Sequence, residues 1–144
     1  MRYKMKLRTV TVSIVADRDP SEKITDADVA AAACRAIMDK RKLSWAKESF
    51  LALYLDTRCR LIGFDVVATG TLNSCLLHPR EVFAPALKAF AAQIIVAHNH
   101  PSGDTTPSDE DLAITARLAE AGTLLGVPLV DSLVFTPDDA RSIT

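Results

Sequence analysis

Apolar positions along this chain change their period several times, and each change predicts an element. In "KLRTVTVSIV", Val10, Val12 and Ile14 alternate with polar neighbours, the period of a half-buried strand. The polar "ADRDPSEK" that follows reads as a loop. "TDADVAAAACRAIMDKRK" is alanine-rich, can be capped by Thr25 or Asp26, and ends in basic residues that suit a helix dipole. "SFLALYLD" and "LIGFDVVATG" predict two strands joined by the turn "TRCR", a hairpin. "TLNSCLLH" predicts one more short strand. "PREVFAPALKAFAAQ" reads as a helix with Pro79 at its first position, where proline is tolerated. Pro85 is expected to kink or delay it. "IIVA" is apolar throughout, as in strands buried on both faces. "DEDLAITARLAEAGTLLG" predicts a helix that Gly126 stops, and "PLVDSLVFT" a last strand. The order β-α-β-β-β-α-β-α-β implies a mixed α/β domain with helices outside a central sheet.

The chemistry concentrates where the "IIVA" strand ends, in "IIVAHNHPSGDTTPSDEDL". Side chains alternate across a strand, so His98 and His100 share one side and Asn99 points to the other, where it is expected to bond backbone. Pro101 keeps His100 extended. "PSGDTTP" turns the chain, with Gly103 free to take positive φ and Asp104 as a turn former. A helix starting near Ser108 puts Asp109, Glu110 and Asp111 in its first turn. One of these carboxylates can return to the histidines and complete a His, His, carboxylate set with a fourth position open. Zinc held this way lowers the pKa of its water to about 7 and makes a nucleophile at neutral pH. Other divalent metals also accept two imidazoles and a carboxylate.

Each feature also has a plain structural explanation. Ser108 and Asp111 form S-x-x-D, close to a capping box, and acidic residues in a first turn favour the dipole. An H-x-H pair arises by chance as well. The metal reading gains weight because both features lie in one short stretch beside a buried strand.

Composition narrows the setting. At 144 residues with 49% hydrophobic and 24% charged, the chain is an ordinary globular domain of net charge -1. That balance offers no global attraction to nucleic acid. Cys34, Cys59 and Cys75 form no CxxC pair and are odd in number, which fits reduced thiols in a cytoplasmic protein. No apolar run approaches the ~20 residues of a membrane helix, and the basic N-terminus lacks a following apolar stretch, so neither a membrane role nor a secretory signal is expected.

His98, His100, Pro101, Ser108 and Asp111 together resemble the JAMM signature of the JAB/MPN metalloproteases. The longer string "HPREVF … AFAAQIIVAHNHPSGDTTPSDEDLAIT" is similar to the RadC-like branch, over roughly Ile24 to Phe135. The resemblance implies the JAB/MPN (cytidine deaminase-like) fold, a mixed β-sheet flanked by helices, over residues 21–144, with residues 1–20 as an N-terminal strand extension. It implies one zinc ion per chain on His98, His100 and Asp111, with Ser108 assisting at the oxyanion. "ESFLALYLD" matches the RadC-like pattern that carries the general base, which nominates Glu48 over Glu81, a first-turn helix residue. By the same resemblance His78 is structural or substrate-facing. Trp45 and Phe50 read as core.

Two departures stand out. No glycine-rich helix-hairpin-helix signature precedes the domain, so a DNA-binding half is expected to be missing. Asp131-Ser132 stands where RadC-like proteins usually have Asp-His. The expectation is a zinc-dependent hydrolase acting on a peptide or isopeptide bond of an unidentified peptide or protein. The alternatives are a DNA-repair-associated metal protein, with tight nucleic-acid binding disfavoured by the charge, and a non-catalytic scaffold. An exposed first strand would also allow a homodimer by edge pairing.

Overall fold

The computed structural model describes residues 23–70 and 77–144. The expected N-terminal strand and all but the end of "TLNSCLLH" lie outside the described residues. The remainder runs α1 (Ala27–Lys40), β1 (Glu48–Leu55), β2 (Leu61–Gly70), α2 (Pro79–Lys88), β3 (Gln93–Asn99), α3 (Asp109–Leu125), β4 (Leu129–Phe135) and β5 (Ala140–Ser142). The strands form one open sheet in the order β2-β1-β3-β4-β5. Among the described strands only β3 and β4 are parallel, with α3 as the crossover between them.

Alternation along β1 divides the core. Leu51, Leu53 and Leu55 face α1, where they meet Ala30, Cys34, Ile37 and Met38. Phe50, Ala52 and Tyr54 face α2 and α3, where they meet Val82, Phe83, Ile114 and Leu118. β3 divides the same way, with Ile95 and Ala97 on the α1 side and Ile94 and Val96 on the other. Both faces are covered, so these strands are apolar almost without a break. Trp45 packs edge-on against Phe135, with ring centroids 5.7 Å apart, at the margin of the α1 side.

Several local expectations meet a tertiary limit. Asp26, not Thr25, caps α1, its side chain accepting from the Val29 N–H at 2.9 Å. Pro79 does open α2, and Pro85 lies inside that helix without delaying its start. The helix stops at Lys88 rather than running on to Gln93, although alanines follow. Phe90 takes φ 55° and the chain turns there so that β3 can enter the sheet. β5 is too short for a period-two pattern to announce it.

Gly122 in α3 has a packing reason. A Cβ there would stand 2.6 Å from the Val127 carbonyl oxygen and 3.3 Å from the Phe83 ring. Helix propensity favours Gly122→Ala by about 1 kcal/mol. The clash is with backbone, and overpacking of this kind typically costs about 1–3 kcal/mol or more. Gly122→Ala is therefore expected to lower the urea midpoint of unfolding, against its helix propensity.

Cys34 is fully buried in α1, and burial pushes its thiol from 9.0 up to about 12. A group whose pKa is raised on folding stabilises the fold while it stays protonated. That contribution is whole below pH 9 and is lost as pH rises towards 12. Native protein is expected to resist alkylation at Cys34 and to lose stability over that window. Cys34→Ala should flatten the alkaline limb of a pH–stability curve.

Candidate metal centre

β3 runs past its apolar stretch, so His98 and Asn99 are still paired within the sheet. His98 is buried on the α2/α3 side, and Phe50 stacks parallel to it at 6.0 Å. His100 follows one step on, and its Nε2 lies 3.1 Å from that of His98. The "PSGDTTP" turn then reverses the chain. Asp104 accepts the Thr106 N–H at 2.9 Å, the turn-forming role its residue type suggests. The loop delivers Ser108 as the cap of α3.

The capping reading of "SDED" holds, and its Asp111 also faces the two histidines. Ser108 Oγ accepts the Asp111 N–H at 3.1 Å, and Asp111 Oδ2 accepts the Ser108 N–H at 2.8 Å, a capping box. The same carboxylate places Oδ1 3.0 Å from His98 Nε2 and Oδ2 3.0 Å from His100 Nε2. His98, His100 and Asp111 thus offer three ligand atoms within 4.8 Å of one another. Burial disfavours the ionised form of Asp111. The bonds from His98 and the Ser108 N–H outweigh it and hold this carboxyl well below the usual carboxylate range.

The donor set fits a cation. His100 Nδ1 lies 2.8 Å from the Asp104 carbonyl oxygen, which can only accept. Nδ1 therefore carries the hydrogen, and in the neutral ring Nε2 presents a lone pair to Asp111 and His98. Two imidazole nitrogens and a carboxylate at this separation need a shared proton or a cation among them, and a cation can replace the proton of the His98–Asp111 bond. A ring fixed through its other nitrogen is the usual support of a metal-bound histidine. His98 Nδ1 is buried and has no hydrogen-bond partner.

A shallow cleft opens beside the centre, lined by Phe50, His98, Glu110, Asp111, Ile114 and Thr115. Phe50 was expected as core, and it is core and site wall together. Ile114 and Thr115 carry no motif signal, yet they follow Asp111 by three and four residues, the spacing that shares one helix face. Ser132 is buried behind this wall, and its hydroxyl lies 2.8 Å from that of Thr115. It packs under α3.

Glu48 is the first residue of β1, half-buried, two positions from Phe50. Alternation puts it on the face that carries His98. Phe50 pairs with His98, so Glu48 stands one pair further towards His100. Glu81 lies exposed in the first turn of α2, and His78 is the cap residue of that helix without a side-chain capping bond.

The RadC-like JAB domain matches residues 24–144, and the chain belongs to that family. The UPF0758 protein of Methanosarcina acetivorans is 46% identical over 100 residues, 69% of this chain and 44% of that protein. That of Geobacillus thermodenitrificans is 50% identical over 97 residues, 67% of this chain and 42% of its own length. That of Methanococcoides burtonii is 41% identical over 117 residues, 81% and 49% respectively. The chain spans less than half the length of these curated relatives. Among the described residues no helix is long and apolar enough to cross a membrane.

Proposed function

We propose that this chain is a zinc-dependent hydrolase of the JAMM type that opens a peptide or isopeptide bond. The supporting observation is the convergence of His98, His100 and Asp111 at the edge of a cleft. Two imidazoles and one carboxylate form a ligand set that leaves a position open on zinc. When bound, the cation supplies Lewis acidity towards a water molecule and the scissile carbonyl.

The chain's own groups do the rest. The hydrogen bond to Asp104 orients His100. Asp111, tied to Ser108, is held where both histidines meet it. Glu48 takes a proton from the attacking water and returns it to the departing amine nitrogen. Ser108 Oγ accepts from the Asp111 N–H and keeps its own hydrogen free to donate to the developing oxyanion. Phe50 and Ile114 give the cleft apolar walls that hold an extended backbone and limit water.

The test begins with metal content, by elemental mass spectrometry on protein purified without a histidine tag or chelator. About one zinc per chain is expected, lost in His100→Ala. A screen of peptide and isopeptide substrates with the zinc-loaded protein follows. Wild-type protein that carries no metal and takes up none from added zinc would overturn the proposal.

A further inference from the structure

The residue between the two histidines is engaged in a way that holding a metal does not explain. Asn99 is fully buried and points to the α1 side, away from His98 and His100. Its carboxamide reaches across to β1 and makes two bonds there. Oδ1 accepts the Ser49 N–H at 2.8 Å, and Nδ2 donates to the Lys47 carbonyl oxygen at 2.9 Å. The Lys47 carbonyl belongs to the peptide group before Glu48, and the Ser49 N–H to the peptide group after it.

Residue pairing between β1 and β3 ends at Phe50 and His98. Just beyond this pair the His100 N–H is given to the Phe135 carbonyl on the β4 side, and Pro101 has no N–H. At this end of the pairing the Asn99 side chain bridges to β1. Fixing the two peptide planes around one Cα fixes both soft dihedrals of that residue, and with them the direction of its Cα–Cβ bond. A carboxamide suits the task because it has a donor and an acceptor on one rigid end. Aspartate would lack the donor, leucine would lack both, and glutamine would be one methylene too long.

We infer that Asn99 is a positioning residue for Glu48, holding the peptide groups on both sides of it so that its carboxylate is directed to the His98, His100 and Asp111 centre. This rests on the reading of Glu48 as the base. One three-residue segment then carries two ligands on one face and orients the base from the other.

Two readouts test it without a substrate. The first is hydrogen exchange of the Ser49 amide in the metal-free protein. Losing the acceptor in Asn99→Leu is expected to speed that exchange by about tenfold or more relative to the Leu53 amide. The second is the pH midpoint of the visible absorption of the Co2+-loaded protein. Glu48→Gln removes a negative charge near the metal and should move the midpoint to lower pH. Asn99→Leu should retain Co2+ and move it the same way, and the double variant should move it no further than Glu48→Gln alone. An unchanged Ser49 exchange rate, or a wild-type midpoint in Asn99→Leu, overturns the inference while leaving Glu48 as the base. A wild-type midpoint in Glu48→Gln removes Glu48 from the metal's neighbourhood, and both readings fall together. Should Asn99→Leu not fold, Asn99→Ser serves, since serine is too short to reach both peptide groups.

Discussion

Asp111→Ala is expected to lose zinc and to destabilise the domain in the same step, whereas Ser108→Ala does only the second. Among the described residues Asp111 is the one carboxylate that faces both imidazoles, at 3.0 Å from each. Changes to groups that merely support a metal ligand cost about 10–100-fold in affinity. Removing the ligand itself should exceed that, so zinc affinity is expected to fall by more than about 100-fold. The same carboxylate also accepts the Ser108 N–H, so its loss opens the capping box of α3. Loss of a cap costs about 1 kcal/mol. Ser108→Ala removes the hydroxyl that accepts the Asp111 N–H but leaves the carboxylate in place. Zinc titration and thermal unfolding of the metal-free proteins separate the two effects. Comparable zinc affinity in both variants would mean that Asp111 is only a cap.

Glu48→Gln is expected to keep about one zinc per chain and to lower kcat by about 100- to 10,000-fold, the usual range for a positioned acid–base group. The change is nearly isosteric, and the position is at the start of β1 with its neighbours held from β3. Folding and metal binding should therefore survive it. The expected signature is a fall in kcat with little change in KM, because a proton carrier acts on the transition state and not on the bound substrate. Glu81→Gln is the control, since Glu81 lies exposed in the first turn of α2. Loss of hydrolysis in Glu81→Gln with activity retained in Glu48→Gln would reverse the assignment. Any peptide or isopeptide substrate that the zinc-loaded chain cleaves will serve for this comparison.

The division between local and long-range information runs through single residues. The alternation of Phe50, Ala52 and Tyr54 with Leu51, Leu53 and Leu55 is a property of the strand itself, and the structure sends each set to its own face. The shared side of His98 and His100 follows from the same period, and the capping of α3 by Ser108 from spacing along one turn of helix. Gly126 ends α3 in the left-handed conformation, at φ 74°, as glycine there predicts. These features need no knowledge of what lies across the sheet. The end of α2 at Lys88 does, because alanine favours helix locally and only the entry of β3 into the sheet explains the turn at Phe90. The three residues of β5 are ordered by pairing with β4, and so short a segment has no period to read.

The site divides along the same line. Residue types and spacing within one stretch brought His98 and His100 forward with the carboxylates of Asp109, Glu110 and Asp111, and the resemblance to the RadC-like pattern singled out Asp111 and Ser108. That one Asp111 carboxylate meets both rings and closes the cap as well was decided by the loop that folds α3 back onto the strand. The tautomer of His100 was decided by where the Asp104 carbonyl came to lie, and the cleft wall by which face of α3 turned inward with Ile114 and Thr115. Nothing near Asn99 in the chain foretells its hold on the peptides around Glu48, because those groups are about fifty positions away. Strand period and helix capping act between residues a few bonds apart and leave a mark in the order of side chains. A hydrogen bond between distant segments leaves none until packing of the sheet brings the two backbones side by side.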